Sequence, residues 1–348
     1  MPAALMYNLG STRYNWFYKT TPQKNLDGRS IYWPRGRVWG GSSSLNAMCY
    51  VRGHPYDYDL WEKEGVEGWS YSSVLPYFKK AETYSHSTGP NDPYRGHNGP
   101  LIATRGSADH PLHQAWLACG RFHKIGYTED MNGFRQEGVA RMDMTIKDGK
   151  RQVQHLCCLS SSNSEQTKSG AWFYNQTGEG ASSHLESGGF ARSSDTVPHP
   201  DIQFHFLPST VHDDGLEELR TAIRLSREIF ALKPFDEFRG EELAPGKDAQ
   251  SDKQLDQFIK KAVASAYHPS CSCKMGSEND PAAVVNPKTM GVYGVENLKI
   301  VDASVMPSIA SGNLNAPTIM IAEKASDILK GKSLPKETPP IWTPPNKT

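Results

Sequence analysis

The chain has 348 residues, with 38 Lys+Arg against 38 Asp+Glu, a balance that leaves no basic footprint for nucleic acid and no acidic tail. Its length suits roughly two domains' worth of core, and no apolar run approaches the roughly 20 residues of a transmembrane segment. Six cysteines in a chain this long do not make a secreted disulfide scaffold and point to a reducing compartment.

Residues 1–80 are rich in glycine and aromatics and contain IYWPRGRVWGGSSSLNAMCYVRG at 31–53, the most unusual block of the sequence. The N-terminus reads neither as a signal peptide nor as an Arg/Ser-rich transit peptide. Helices are predicted over 57–65 and 71–82, followed by a polar loop over 83–107. A further amphipathic helix is predicted over 110–126, where Leu112, Trp116, Leu117 and Phe122 fall near helical spacing. Residues 151–170 are Ser-rich and aperiodic, and read as a linker or a foreign insert. At 199–208, Ile202, Phe204 and Phe206 alternate with Gln203 and His205, a strand signal. A helix over 216–234 is stopped by Pro234, and a second over 251–265 opens with Ser251 and Gln254 at capping-box spacing. A short strand ending in a turn is predicted over 297–307. A helix with Pro317 in its first turn follows over 315–330. The Pro/Lys-rich stretch after 332 is predicted to be disordered. The elements describe a loop-rich α+β protein without internal repeats.

Two blocks carry chemistry. GRVWGGSSSLN (36–46) reads as a flexible linker or as a loop that brings backbone close to a ligand. Its apolar and aromatic flanks favour the second reading, because a solvated linker avoids them. SAYHPSCSCKMG (265–276) sets His268 beside Cys271 and Cys273. Cysteines one residue apart fit neither the usual zinc pairing nor a C-x-x-C redox pair. They suit small buried hydrophobes instead, and the role of the histidine stays open on these grounds.

Gly36, Arg37, Trp39, Gly40, Gly41, Ser42, Ser43, Leu45, Asn46, Tyr50, Gly53 and Asp59 fall at the fixed positions of the first signature of the glucose-methanol-choline (GMC) oxidoreductases. AYHPSCSCKMG, NLKIVDASVMPS and SGNLNAPTIMIAEKASDIL follow in that family's order and spacing. The resemblance covers roughly 1–150 and 171–332 and is strongest to the choline-oxidising branch. It implies an α+β or α/β fold with an incomplete FAD-binding domain and an incomplete antiparallel-sheet substrate domain. The implied divisions are a partial N-terminal FAD-binding region (1–150), the Ser-rich linker (151–170), a partial substrate domain (171–250), a C-terminal region with the catalytic histidine and the flavin-contacting helix (251–332) and a disordered tail (333–348).

The resemblance also implies roles. His268 becomes the acid/base group acting on the substrate hydroxyl, and Asn315 its partner across the flavin face. Such chemistry suits an imidazole, which titrates near neutrality. Arg37, Gly40, Gly41, Ser42, Asn46, Asp302, Ala303 and Asn313 are the implied cofactor contacts. The helix from about 316 would bring its positive N-terminus to the flavin. Leu45 stands where some members carry the histidine that bonds covalently to flavin, so FAD is expected to be non-covalent. HLESGGF (184–190) makes Glu186 the implied partner of a trimethylammonium group, with Trp61 and Phe190 as candidate aromatic walls. The implied substrate is a small alcohol, choline, with the electron acceptor left open. The implied location is mitochondrial, with possible inner-membrane association.

Three departures accompany the resemblance. The family's opening strand and G-x-G-x-x-G are missing, and the chain is expected to begin after them. GEGASS at 178–183 is a decoy ending in serine. The second family signature is replaced by the Ser-rich stretch, and sheet strands expected after HDDG (212–215) are absent. The resemblance therefore implies a truncated oxidoreductase. The alternatives are an inactive remnant unable to hold FAD, and a member of the family acting on another alcohol.

Overall fold

The computed structural model describes residues 2–122, 124–152, 202 and 214–344. Its main core is built where helical spacing places large side chains on one face. Helix α1 is a short Leu5–Leu9 segment, and α2 spans Pro55–Lys63. Pro55 at the first helical position and a His54/Asp57 capping box fix the start of α2. Helix α3, Tyr71–Ala81, buries Tyr71, Val74, Leu75 and Phe78, an i, i+3, i+4, i+7 stripe. Asp59 accepts the Tyr71 N–H at 3.0 Å and so joins α2 to α3. The long helix Asn315–Leu329 lies against α3 and buries Ala316, Met320, Ile321 and Ala325. Burying a side chain of this kind stabilises by about 1.5–3 kcal/mol.

Among the described residues the other α-helices are α4 (Pro111–Phe122), α5 (Asp214–Phe230) and α6 (Asp252–Ala262), which makes Asn315–Leu329 helix α7. The expected capping box of α6 is present, with Ser251 and Gln254 bonded reciprocally. Among the described residues the sheets are small: β1 (Tyr18–Lys19) with β2 (Tyr32–Trp33), β3 (Glu82–Tyr84) with β4 (Leu101–Arg105) and β5 (Asp143–Met144), and β6 (Ile146–Lys147) with β7 (Lys150–Arg151). The β6–β7 hairpin turns on Asp148 and Gly149, both at positive φ, as a two-residue Asp-Gly turn requires. Glu82 is fully buried and lies 3.0 Å from Arg52 and 2.8 Å from Arg95. Burial opposes its charge, yet the two guanidiniums hold the carboxyl below its ordinary range.

Three expectations are corrected. The polar loop expected over 83–107 includes strand β4, where Leu101 and Ala103 are buried in the core. Residues 297–307 form no regular strand. Lys299 makes a single bridge to Gly291, and the chain then turns into a 3-10 helix, Ala303–Val305. The Asp302 side chain accepts the Ser304 N–H at 2.8 Å, a local bond that competes with strand pairing. The stretch after 332 is ordered as far as 344. Pro76, inside α3, has no N–H to give the Ser72 carbonyl, and the Glu337 N–H takes that carbonyl at 3.0 Å. The Leu334 N–H donates to the Tyr77 hydroxyl at 3.0 Å, the Tyr94 hydroxyl donates to the Pro340 carbonyl at 2.8 Å, and Arg135 stacks on Trp342 at 4.4 Å. Composition alone marks the segment as soluble chain, whereas an open helix carbonyl and exposed aromatics give it partners. Removing residues 334–348 should therefore destabilise the chain by about 1–3 kcal/mol. A urea midpoint unchanged by the deletion would contradict this account.

Of the strand expected over 199–208, Ile202 alone lies within the described residues. It is buried, and its carbonyl accepts the Thr21 N–H at 2.7 Å. Most of the 151–170 linker also lies outside them.

Candidate active site

Three segments far apart in sequence line one cavity of about 240 Å³: Gly36, Ser42, Leu45 and Asn46 from the glycine-serine loop, Ala266–Pro269 around the histidine, and Asn313, Leu314 and Asn315 at the start of α7. Arg35, Met48, Cys49 and Ala303 complete much of the wall. The loop closes tightly on itself. Gly40 and Gly41 have φ of 82° and 53°, and a Cβ on Gly36 would fall 2.2 Å from the Gly41 carbonyl oxygen. The serines serve the loop before any ligand. Ser43 donates to the Gly40 carbonyl at 2.6 Å, Ser44 donates to the Trp39 carbonyl at 2.7 Å, and Ser42 Oγ accepts the Gly36 N–H at 3.2 Å. Arg151, at the end of the β6–β7 hairpin, grips the Asn46 carbonyl at 2.6 Å and its side-chain oxygen at 2.8 Å.

His268 is half-buried, and its Nε2 lies 2.9 Å from Asn313 Nδ2. The amide nitrogen donates, so Nε2 is the lone-pair nitrogen of a neutral ring. Burial pushes the imidazole below its ordinary pKa, and the Arg35 cation pushes it the same way. Asn315 is 8% exposed, and its Oδ1 is buried without a hydrogen-bond partner. Most buried acceptors are paired, so this oxygen is open to a partner. Asp57 tethers the loop that carries these residues, accepting the Ser311 N–H at 2.8 Å and the Ser311 hydroxyl at 2.7 Å. The loop also crosses the 51–53 backbone closely, for a Cβ on Gly312 would lie 2.8 Å from the Gly53 nitrogen.

Cys271 and Cys273 pack against the main core. Burial pushes the Cys271 thiol up to about 11 and raises that of Cys273, so neither is poised as a thiolate. Among the described residues no group of three or more His, Cys, Asp or Glu side chains is placed to hold a metal.

The structure thus gathers His268, Asn313, Asn315, Ser42, Asn46 and Ala303 at one cavity and leaves others away from it. Arg37 is exposed and stacks on Trp16 at 4.8 Å, whereas Arg35, two residues earlier, lines the wall. Gly40 and Gly41 shape the loop without lining the cavity. Asp302 spends its carboxylate on capping the 303–305 turn. Trp61 is a correction: it is fully buried in the main core, its indole N–H donating to the Ser308 carbonyl at 3.1 Å, and it walls no open site. Glu186 and Phe190 lie outside the described residues. Sequence reasoning overlooked Arg35, Asp57 and Arg151. Arg35 and Arg151 bond backbone carbonyls, a role no residue spacing announces. The Asp57 tether was readable in part, since Asp three residues after a helix cap is a capping signal.

The fit to FAD is partial. The cavity has Asn315, with its unpartnered amide oxygen, in its lining, but at about 240 Å³ it is smaller than the roughly 300–1,000 Å³ usual for ligand sites. No strand–glycine loop–helix unit for a dinucleotide occurs among the described residues.

Comparison with known proteins gives the family. The N-terminal GMC oxidoreductase family model matches residues 6–169 and the C-terminal one residues 186–322. Mitochondrial choline dehydrogenases from Mus musculus and Homo sapiens are each 39% identical, covering 99% and 98% of this chain and 84% and 82% of those proteins. An oxygen-dependent choline dehydrogenase from Staphylococcus xylosus is 32% identical over 95% of this chain and 87% of its own length. The mouse alignment runs over 502 positions, far more than the 348 residues present here, so many of its positions are gaps on this side. In fold the chain is similar to pyridoxine 4-oxidase from Mesorbium loti (TM-score 0.78, 22% identity, 93% of this chain and 90% of that one). It is also similar in fold to a formate oxidase (TM-score 0.75, 16% identity, 95% of this chain and 90% of that one). With both family models matched in order and relatives at 39% identity, the chain belongs to the GMC oxidoreductase family.

Proposed function

We propose that the site serves oxidation of a small primary alcohol, choline, to its aldehyde. The observation that carries this reading is the neutral His268 facing Asn313 beside the orphaned Asn315 oxygen, in a chain whose relatives are choline dehydrogenases. His268 Nε2 takes the hydroxyl proton, exchanging the Asn313 donor for the substrate O–H. The Nδ2 groups of Asn313 and Asn315 donate to the oxygen as it gains negative charge, and the half-buried wall keeps water from it. FAD, when bound, would supply the hydride acceptor. The 36–46 loop, Ala303 and the start of α7 would hold its ring end, and Leu45 allows no covalent bond. The mouse and human relatives, both named as mitochondrial, support a mitochondrial placement.

Among the described residues no carboxylate lines the cavity. The likeness of HLESGGF (184–190) to the choline-oxidising branch supports Glu186 as the partner of the trimethylammonium charge. In a form of the chain that holds flavin, Glu186→Gln should raise KM for choline. It should raise KM less for 3,3-dimethylbutan-1-ol, the uncharged isostere. Equal losses for the two would mean that Glu186 does not read charge, and oxidation of other alcohols ahead of choline would overturn the substrate assignment.

A further inference from the structure

We propose that Arg35 is a positioning residue for the reaction: its guanidinium clamps the peptide that precedes His268 and supplies the fixed positive charge of the cavity wall. The inference rests on the reading of His268 as the acid/base group, and it assigns work to a residue outside the family signature read in the sequence.

The first observation is geometric. Arg35 is 7% exposed and lines the cavity together with His268. Both of its terminal nitrogens approach the Tyr267 carbonyl, Nη1 at 3.4 Å and Nη2 at 3.3 Å, and Nη1 also donates to the Pro34 carbonyl at 2.9 Å. Tyr267 has φ of 63°, a left-handed conformation that a bulky residue adopts only when its surroundings impose it. The imposing contacts are present on both sides. The Tyr267 ring meets the edge of Trp33 at 6.1 Å and of Tyr32 at 6.4 Å, and Arg35 lies over Trp33 at 5.9 Å. Ring and carbonyl are both held, so the next residue, His268, leaves the turn in one direction, towards Asn313. A guanidinium suits this task because its planar fork reaches two carbonyls at once.

The second observation is the charge of the lining. Among the described residues, the ionisable side chains that line the cavity are Arg35, Cys49, Tyr267 and His268. At neutral pH Arg35 alone among these four carries a fixed charge, for burial raises the Cys49 thiol above its ordinary range. A cation there opposes a second cation on the imidazole and favours an oxygen that is losing its proton. Both effects make His268 a proton acceptor in its resting state. The depressed imidazole agrees in direction, with burial the larger cause and Arg35 the second.

The test titrates His268 by NMR in the 348-residue chain itself, without flavin, its ring signal assigned by its loss in His268→Gln. Arg35→Gln should raise the His268 pKa by about half a unit to one unit. Arg35→Lys, which keeps the charge but loses the fork, should leave it within about 0.3 units while moving the Tyr267 and His268 amide signals. A folded Arg35→Gln variant with an unchanged His268 pKa would overturn the proposal. If Arg35→Gln does not fold, Arg35→Lys decides alone, and a rise to the ordinary histidine value in that variant overturns it. The readout needs no turnover, so its failure is separate from any failure of His268 as the acid/base group.

Discussion

Replacing His268 with alanine should lower turnover per bound flavin by about 10²–10⁴-fold, the usual worth of a positioned acid–base group. The measurement calls for a form that holds flavin, such as the chain supplemented with the dinucleotide-binding segment of a choline dehydrogenase relative. His268 is suited to the role by three features together. It is half-buried at the cavity, its Nε2 accepts from Asn313 at 2.9 Å, and burial and Arg35 both oppose its protonation. The pH dependence has a fixed sign: a depressed imidazole stays a competent base to lower pH than an ordinary histidine, so kcat/KM should hold until pH falls through that lowered value. Flavin content should be nearly unchanged in the variant, because the imidazole carries none of the loop geometry around Gly36 and Gly41. The double change Cys271→Ser and Cys273→Ser should cost far less. Both thiols pack against the core with raised pKa values, so serine removes packing and no nucleophile. A double serine variant as inactive as His268→Ala would make the thiols chemical participants and reverse this assignment.

Much of the site was legible because its residues lie in dense local motifs. The glycine pair at 40–41 has to adopt left-handed backbone, and only a few residue types tolerate that, so the loop shows in the letters. The helices were legible for the same reason: α3 repeats its apolar residues at i, i+3, i+4 and i+7, and α6 carries its capping box in Ser251 and Gln254. What escaped was long-range. Pro76 announces a helix carbonyl without a donor, but nothing near it says that Glu337, far along the chain, will supply one. Arg35 and Arg37 look alike in the motif, and tertiary packing alone decides which faces the cavity and which stacks on Trp16. The strand expected over 297–307 failed because apolar alternation there competes with a local Asp302 turn. Trp61 was misjudged for a related reason: an aromatic near a signature can serve the core as readily as a ligand.

Purified as it stands, the 348-residue chain should carry far less than one flavin per molecule. FAD is a long ligand with two different ends, and the structure treats them differently. At the ring end the cavity of about 240 Å³, the tight 36–46 loop and the N-terminus of α7 offer shape, an amide oxygen and a helix dipole. The diphosphate end normally needs a strand, a glycine-rich turn and a helix N-terminus, whose backbone N–H groups and dipole receive the negative charge. The described sheets have two, three and two strands, and the sequence holds no G-x-G-x-x-G, since GEGASS at 178–183 ends in serine. Without those donors the phosphates keep their water, and what remains is contact with one flat ring. The prediction is checked by the absorbance of the gel-filtered chain at the flavin bands, before and after incubation with FAD. Weak, rapidly reversible uptake fits the account. Stoichiometric yellow protein surviving gel filtration would refute it, and would mean that other residues of the chain cradle the diphosphate. The supplemented form is the complementary arm: restoring a relative's glycine loop should restore flavin and, with it, the His268-dependent turnover. If the loop returns flavin but no alcohol is oxidised, the loss lies outside the cofactor site, which favours the reading of the chain as an inactive remnant.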